Sequence, residues 1–306
     1  MSFARRTFLQ SVFGGSALLG VAGASAATPP RASEASPLKV AFLTDTHLPA
    51  GNDRTSERVA GLIDAIQSRA GAPDLFLFGG DNVMAVDGGQ SDADTEDQFR
   101  RWKTQVRDRL KTPSLSCIGN HDIRWKERSK EKPEAFLEKA RAIDAYNMPA
   151  RYFSADQGGW TFILLDVYQA TGCELDEPQW KWLEAKLADG ESPACIVTHA
   201  PLFSATHFLE PSTDTGKGYA VPAGWSPQGL VRFRELFRKH PRVKLCLSGH
   251  MHTCDRVDID QTSYVCGGAV SGNWWGAGNY LGFGPCWIEL ELHADGRWTH
   301  ERREWA

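Results

Sequence analysis

Side chains that can bind metal ions occur at five places in the chain, each directly after a short apolar run. Asp45-Thr46-His47 follows VAFLT, Asp81 follows LFLFGG, Asn120 follows SLSCIG, His199 follows ACIVT, and His250-Met251-His252 follows VKLCLSG. Carboxylates and imidazoles bind divalent transition metals, and an amide oxygen adds a ligand without adding charge. One such motif alone is weak evidence, because a single Asp or His after a strand usually caps or stabilises a turn. Together they predict a metal site made of Asp45, His47, Asp81, Asn120, His199, His250 and His252.

The apolar runs predict buried β-strands over residues 38–44, 75–78, 114–118, 161–167, 194–198 and 243–247. The segments between them have helical periodicity over 58–69, 98–110, 134–146, 179–187 and 230–239. Towards the end only strands are predicted, at 256–260, 263–266 and 286–292. Aliphatic strands that alternate with helices indicate an α/β layered fold. Ligands bind at the carboxyl ends of the strands in open α/β sheets, so this fold brings the five motifs to one edge.

Spacing within the motifs predicts how the side chains point. Asp45 and His47 are two residues apart, as are His250 and His252. In extended backbone such pairs lie on the same side, so each pair can point both groups into one cleft. Two glycines precede Asp81 and allow a sharp turn of the backbone there.

These five motifs, in this order, resemble those of the calcineurin-like metallophosphoesterase superfamily, and the resemblance covers nearly all of the chain after its N-terminal segment. It implies an α/β fold, a four-layer α/β/β/α sandwich of two mixed β-sheets flanked by helices. It also implies two divalent metal ions (Fe, Mn or Zn). One metal would be bound by Asp45, His47, Asp81 and His252, and the other by Asp81, Asn120, His199 and His250, with Asp81 bridging the two.

The resemblance also gives roles to the residues after Asn120. His121 would face the substrate and protonate the leaving oxygen or stabilise charge on the phosphoryl group. Asp122 would orient the His121 ring, as carboxylates fix an imidazole tautomer. The alternative is that both residues only stabilise the turn.

The implied reaction is hydrolysis of a phosphate ester by a hydroxide that bridges the two metals. A phosphodiesterase on a small substrate is favoured, of the cyclic nucleotide or glycerophosphodiester type. A phosphomonoesterase on the same site is the alternative. A non-catalytic binding module is less favoured, because such a module loses metal ligands and none is missing here.

Four further features leave alternatives open. The Gly/Pro-rich segment 202–229 either covers the site and selects the substrate or is a solvated surface loop. The pair Trp274-Trp275 either forms an aromatic wall for a base or lipid or packs on the sheet edge, and packing is favoured for one of the two. Asp166 either supports the metal ligands or forms a turn. Among seven cysteines, structural thiols are favoured, although a Cys254–Cys266 disulfide is possible.

The overall composition limits the kinds of partner that the chain is expected to bind. The chain has 306 residues and a formal net charge of −4, with no block of like charge. It therefore lacks the broad basic face typical of nucleic-acid-binding proteins, and a small phosphate ester is the expected substrate. The oligomeric state is left undefined by the sequence.

The N-terminal segment predicts export. Residues 1–26 carry Arg5-Arg6, a short apolar stretch and Ala24-Ser25-Ala26, and they resemble a twin-arginine signal peptide with a cleavage site. The apolar stretch is shorter than the roughly 20 residues that span a bilayer, so no permanent membrane anchor is expected. Residues 27–36 are a predicted linker and 37–306 the predicted metallophosphoesterase domain. Export by the twin-arginine machinery would place the protein in the periplasm or beyond, while a disordered tail is the alternative.

Overall fold

The protein is described by a computed structural model over residues 36–87, 90–125 and 137–305. The predicted signal peptide (1–26) lies outside the described residues, as does the predicted linker (27–36) except for its last residue. No helix in the described ranges is both long enough and apolar enough to cross a membrane.

The described elements alternate between strands and helices for most of the chain. In chain order the strands are β1 (Leu38–Leu43), β2 (Leu75–Phe78), β3 (Ser114–Ser116), β4 (Arg124–Trp125), β5 (Leu137–Glu138), β6 (Phe153–Gln157), β7 (Trp160–Leu164), β8 (Tyr168–Gln169), β9 (Gly172–Cys173), β10 (Ala194–Val197), β11 (Val243–Ser248), β12 (Cys254–Ile259), β13 (Thr262–Gly267), β14 (Cys286–Leu292) and β15 (Trp298–Glu304). The helices are α1 (Asp53–Ser68), α2 (Asp92–Gln105), α3 (Ala140–Ala145), α4 (Glu177–Ala188) and α5 (Leu230–Lys239).

Two large mixed sheets form the centre of the fold. The first has the order β15-β14-β1-β2-β3, in which β1, β2 and β3 run parallel and β14 is antiparallel to both β1 and β15. The second has the order β12-β13-β11-β10-β7-β6, in which β7, β10, β11 and β13 run parallel. Both sheets therefore direct the carboxyl ends of several neighbouring strands to one edge.

The sheets pack against each other through apolar side chains, with helices outside them. Gly267 of β13 lies so close to Phe42 of β1 that an added Cβ would be 2.5 Å from the Phe42 ring. Trp102 of α2 contacts Phe78 of β2 with ring centroids 4.9 Å apart. These contacts agree with the predicted fold class of two mixed sheets flanked by helices, which is confirmed.

Element boundaries differ from the predicted ones for local reasons. Helix α1 begins at Asp53, five residues before the predicted start, because the Asn52 side chain caps it by accepting a hydrogen bond from the Thr55 amide at 3.1 Å. Helix α3 covers only the second half of the predicted helix 134–146, and the strand β5 precedes it.

All seven cysteines are free thiols. The Cys254–Cys266 disulfide that the sequence left possible does not join the nearest pair of sulfur atoms. Cys254 lies opposite Gly267 in the β12–β13 ladder, so Cys266 is not its direct partner. Its Sγ is instead 3.5 Å from the Sγ of Cys286 on β14.

Candidate metal centre

Six of the seven predicted ligands form two adjacent clusters. Ligand atoms of Asp45, His47 and His252 lie within 4.8 Å of one another, and those of Asp81, His199 and His250 form a second such group. The clusters meet at Asp81, whose Oδ2 is 3.0 Å from His199 Nε2 and 3.8 Å from His47 Nε2. Four of the five motifs therefore converge, with Asp81 between the two groups.

Asn120, the seventh predicted ligand, follows β3 and lies next to the second cluster. Its Oδ1 accepts a hydrogen bond from the Tyr168 hydroxyl at 3.3 Å. The Tyr168 ring lies 6.0 Å from the His199 ring and 6.4 Å from the His250 ring, measured between centroids. Tyr168 was not among the predicted site residues.

Loops from both sheets are bonded together to form the centre. The Asp45 amide donates to the Gly80 carbonyl at 3.0 Å, which joins the loops after β1 and β2. The Gly249 amide donates to the His199 carbonyl at 2.9 Å, which joins the loops after β10 and β11. The Val270 amide donates to the Thr44 carbonyl at 2.9 Å and links the two sheets.

The ligand loops use left-handed backbone rather than the extended backbone predicted for the paired motifs. The φ angles are positive at five ligand residues, with values of 54° for Asp45, 47° for His47, 49° for Asp81, 70° for His250 and 53° for His252. Such φ values are unfavourable for residues with a Cβ and collect at functional sites. His250 and His252 belong to different clusters of the one centre, and the extended backbone predicted for both pairs was wrong.

Two glycines allow the backbone to approach the carboxylates closely. A Cβ on Gly119 would lie 2.1 Å from Oδ1 of Asp81, and a Cβ on Gly249 would lie 2.1 Å from Oδ2 of Asp45. Any side chain at either position would displace a ligand.

Hydrogen bonds fix the imidazole rings with one nitrogen facing the centre. The Nδ1 atoms of His47, His199 and His252 lie 3.3, 2.8 and 2.6 Å from the carbonyl oxygens of Met84, Gly79 and Gly272, respectively. A carbonyl only accepts, so each Nδ1 carries the hydrogen, and the neutral form of each ring would present its Nε2 lone pair to a metal ion. The Nε2 atoms of His47 and His252 are 3.0 Å apart, and two facing lone pairs need a cation between them. The residues therefore fit a metal ion.

The carboxylates are held ionised. Burial by itself raises the pKa of Asp45 and Asp81, but the charge of His199 and hydrogen bonds from neighbouring imidazoles outweigh it and hold both pKa values well below the usual range. Burial together with the charge of His199 lowers the pKa of His250 to about 3, so this ring is neutral, as a ligand must be.

His121 lies beside the first cluster, but its carboxylate partner differs from the predicted one. Its ring centroid is 5.1 Å from that of His47, and its Nδ1 is 3.2 Å from Oδ1 of Asp87. Burial lowers the pKa of His121, but the hydrogen bond with Asp87 and the charge of Asp81 outweigh it and raise the pKa to about 9. Asp87 is therefore the residue that orients the ring, and no local motif distinguishes it in the sequence.

Asp122 has a different role from the predicted one. Its buried carboxylate accepts hydrogen bonds from the amides of Asn82 at 2.9 Å and Gly119 at 2.8 Å and from the Tyr146 hydroxyl at 2.6 Å. These bonds join the loops after β2 and β3, and the turn-stabilising alternative describes Asp122 correctly. The prediction that Asp122 orients the His121 ring was wrong.

Comparison with known proteins decides the family. The family model of the calcineurin-like phosphoesterases matches residues 38–254, which include every predicted metal ligand. The chain belongs to the calcineurin-like phosphoesterase family. This membership confirms the predicted resemblance and the predicted class of enzyme, a metal-dependent phosphoesterase with a site suited to two divalent ions.

Relatives of this phosphoesterase align over almost their whole length. It is 27% identical over 280 residues to a probable cyclic nucleotide phosphodiesterase of Synechococcus sp., covering 88% of this chain and 93% of the relative. It is 28% identical over 290 residues to the 3',5'-cyclic adenosine monophosphate phosphodiesterase CpdA of Escherichia coli, covering 90% and 92%. A dimetal phosphatase from Danio rerio has the same fold with a TM-score of 0.58 and 12% identity, covering 87% of this chain and 96% of that one.

A cavity opens on the side of the phosphoesterase centre where the second cluster lies. Its volume is about 530 Å³, and its lining includes Asn120 and His250. The hairpin of β8 and β9 and residues 223–228 form its walls. Part of the segment 202–229 therefore lines a cavity that shares two predicted ligands with the centre.

The two adjacent tryptophans have different environments. Trp275 packs, because its Nε1 donates to the His47 carbonyl at 2.9 Å and its ring contacts Trp305. The Trp274 ring is stacked on the His252 ring with centroids 3.8 Å apart and remains 38% exposed. One tryptophan therefore packs, as predicted, and the other covers a ligand of the first cluster.

Asp166 supports Tyr168 rather than the metal ligands themselves. Its buried carboxylate accepts hydrogen bonds from Lys139 Nζ at 2.8 and 2.6 Å and from Arg151 at 2.8 Å. The Tyr168 amide also donates to Asp166 Oδ1 at 3.3 Å. This charge network fixes the start of β8 and with it the tyrosine that contacts Asn120.

Proposed function

We propose that this phosphoesterase hydrolyses a small phosphodiester, with a cyclic nucleotide as the favoured substrate. The observation that carries the proposal is the pair of buried ligand clusters that meet at Asp81, beside a cavity whose lining has no Asp, Glu, Lys or Arg among the described residues. The two relatives named as cyclic nucleotide phosphodiesterases, each aligned over more than nine tenths of its length, support the substrate class.

The ligand residues suit an anionic substrate. Two divalent ions bound by the seven ligand side chains would supply a nucleophile derived from water and a positive field for the phosphoryl group. Only Asp45 and Asp81 among the ligands carry negative charge, while the histidines and Asn120 add none. The centre consequently keeps an excess of positive charge.

His121 is placed to assist the leaving group. Its ring lies at the edge of the first cluster, with Nδ1 bound to Asp87. The hydrogen bond with the Asp87 carboxylate raises the pKa of His121 and favours the protonated ring. An alkoxide of a ribose is a poor leaving group, so proton donation by His121 would assist its departure.

The cavity favours a diester over a monoester. The residues that line it include no lysine or arginine among those described. A phosphate monoester carries about two negative charges near neutral pH, and proteins usually bind such dianions with basic side chains. A phosphodiester carries a single charge, which the metal centre alone can balance.

We also propose that the protein acts outside the cytoplasm after export through the twin-arginine machinery. The basis is Arg5-Arg6 and the short apolar stretch that follows it. Replacing both arginines with lysine should retain the protein in the cytoplasm, measured by cell fractionation and immunoblotting. Unchanged export of the double variant would contradict this proposal.

The substrate proposal is tested with purified protein reconstituted separately with manganese, iron and zinc. Initial rates are measured on cyclic AMP, cyclic GMP, glycerophosphocholine, bis(p-nitrophenyl) phosphate and p-nitrophenyl phosphate. We expect kcat/KM to be higher for the diesters than for p-nitrophenyl phosphate. Asp81→Asn should abolish turnover, whereas the surface control Asp295→Asn should not change it. Preference for the monoester would support the phosphomonoesterase alternative, and absence of turnover with bound metal would support a binding module.

A further inference from the structure

The cavity beside the second cluster has the features of a subsite for a nucleobase, an inference that rests on the proposed function. We propose that this base pocket, lined by Tyr168, Thr171, Cys173, Trp225, Ser226 and Gln228, binds the base of the substrate. Trp225 provides the ring on which the base stacks, and the Gln228 amide binds the polar edge of the base.

The position of the base pocket agrees with a substrate whose phosphate lies at the metal centre. Asn120 and His250 belong both to the predicted ligands and to the lining of the pocket. A phosphate ester held by these residues can therefore extend into the pocket without crossing a gap. The volume of about 530 Å³ is within the range of roughly 300–1,000 Å³ of small-ligand sites.

The two walls of the pocket, which are the β8–β9 hairpin and the 223–228 segment, are bonded to each other, and the hairpin is also bonded to the predicted ligand Asn120. The main-chain N–H of Gln228 donates to the Cys173 carbonyl at 2.8 Å, and this bond joins the 223–228 segment to β9. The Tyr168 wall is buried and bonded to Asn120. The Trp225 ring packs on His207 with centroids 6.0 Å apart. A ligand would therefore meet a pocket that is largely formed before it binds.

The polar groups of the pocket suit a neutral base. The side chains of Thr171, Ser226 and Gln228 make no hydrogen bond to other residues in the described part of the chain. An amide offers one donor and one acceptor side by side, which matches the N1 acceptor and N6 donor of adenine. The lining carries no lysine or arginine among the described residues, so a second phosphate would find no permanent counter-charge there.

The other aromatic surface near the centre is less suited to a base. One face of Trp274 is already stacked on His252, and the edge contact with Tyr280 has centroids 5.1 Å apart. The Tyr280 hydroxyl is bonded to the Glu210 carboxylate. Trp274 therefore serves as the matched control, since it is a tryptophan next to the same metal centre but outside the pocket.

The experiment compares Trp225→Leu with Trp274→Leu on two substrates, cyclic AMP and the base-free diester methyl p-nitrophenyl phosphate. Base stacking on an aromatic side chain contributes about 1–3 kcal/mol, so Trp225→Leu should raise KM for cyclic AMP about tenfold or more. The rate on the base-free diester should change less than about twofold, because that diester has no base to stack. Trp274→Leu should leave the ratio of the two kcat/KM values unchanged.

A second variant tests the polar contact. Gln228→Glu replaces a donor and acceptor with two acceptors, which suit the N1 and N2 donors of guanine rather than adenine. The ratio of kcat/KM for cyclic GMP to that for cyclic AMP should rise about tenfold. Metal content and melting temperature are measured for each variant. If Trp225→Leu binds less metal or melts at a lower temperature than the wild type, the Gln228→Glu result decides whether the pocket binds the base.

The results separate failure of the pocket from failure of the proposed function. If the wild type hydrolyses cyclic AMP but Trp274→Leu alone raises its KM, the base lies on the other side and the proposal is overturned. If the wild type hydrolyses only the base-free diester, the cyclic nucleotide proposal fails, and inhibition of that reaction by 5'-AMP still tests the pocket. An inhibition constant for 5'-AMP that is the same in wild type, Trp225→Leu and Gln228→Glu would then overturn it.

Discussion

Adding a single methyl group at Gly119 should disable the metal centre while leaving the fold intact. The φ angle of Gly119 is not positive, so its backbone accepts an alanine without strain. The added Cβ would nevertheless lie 2.1 Å from Oδ1 and 2.3 Å from the amide nitrogen of Asp81. The side chain and the main chain of Asp81, which lies between the two clusters, both stand in the way of the substitution.

The size of the expected effect follows from these distances. Nonbonded heavy atoms prefer separations of about 3.5 Å or more, so Gly119 and Asp81 must move apart by more than about 1 Å. A displacement of about 1 Å in a catalytic group lowers the rate by roughly 100-fold. Gly119→Ala should therefore lower kcat/KM on bis(p-nitrophenyl) phosphate at least about 100-fold and reduce the bound metal.

The assay measures kcat/KM, metal content by mass spectrometry and melting temperature on the same preparations. Gly61→Ala is the matched control, because Gly61 is in helix α1 and an added Cβ there meets no atom within 4 Å. It should retain full activity and gain roughly 0.5–1 kcal/mol of stability from helix propensity. A Gly119→Ala protein with two bound metals and wild-type activity would refute the reasoning.

Three further predictions follow from the geometry. His121→Ala should slow release of a ribose oxygen at least about 100-fold but p-nitrophenolate release much less, and Asp87→Asn should show a smaller trend in the same direction; equal losses on cyclic AMP and bis(p-nitrophenyl) phosphate would contradict this role. Chelation should lower the melting temperature by roughly 5 °C or more in calorimetry, because ligand at 100 times its Kd stabilises by about 2.7 kcal/mol; re-added manganese should restore it, and an unchanged transition would contradict the metal assignment. Oxidised glutathione should link Cys254 to Cys286, whose Sγ atoms are 3.5 Å apart, and the two thiol protons should pass to the two molecules of reduced glutathione that form. Peptide mapping should find the same link in Cys266→Ser, and a Cys254–Cys266 peptide would argue against it.

The placement of the ligands could be predicted from the sequence because strand patterns are local. Buried strands appear as short apolar runs, and the residue that follows each run lies at the sheet edge whatever the rest of the chain does. Asp45, Asp81, Asn120, His199 and His250 were located in this way. The pairing of these ligands into two groups came from the family resemblance and not from the pattern.

The remaining details depend on contacts between distant segments. The left-handed backbone at Asp45 and His250 is imposed by loops bonded across both sheets, which no local pattern records. Asp87 contacts His121 across 34 positions and Tyr168 contacts Asn120 across 48. An acid in a glycine-rich segment and a tyrosine in a short hairpin are unremarkable in the sequence, so neither role could be assigned before the fold was known.

The separation of the ligands along the chain also orders the events of biosynthesis. His47 and His252 are 205 positions apart, yet both belong to the first cluster, and the second cluster needs His250. When β1, β2 and β3 have been synthesised, neither cluster therefore has all of its ligands. Metal loading must wait until translation has passed His252 and the two sheets have docked. The ions that the finished protein carries would then record the compartment in which its folding was completed.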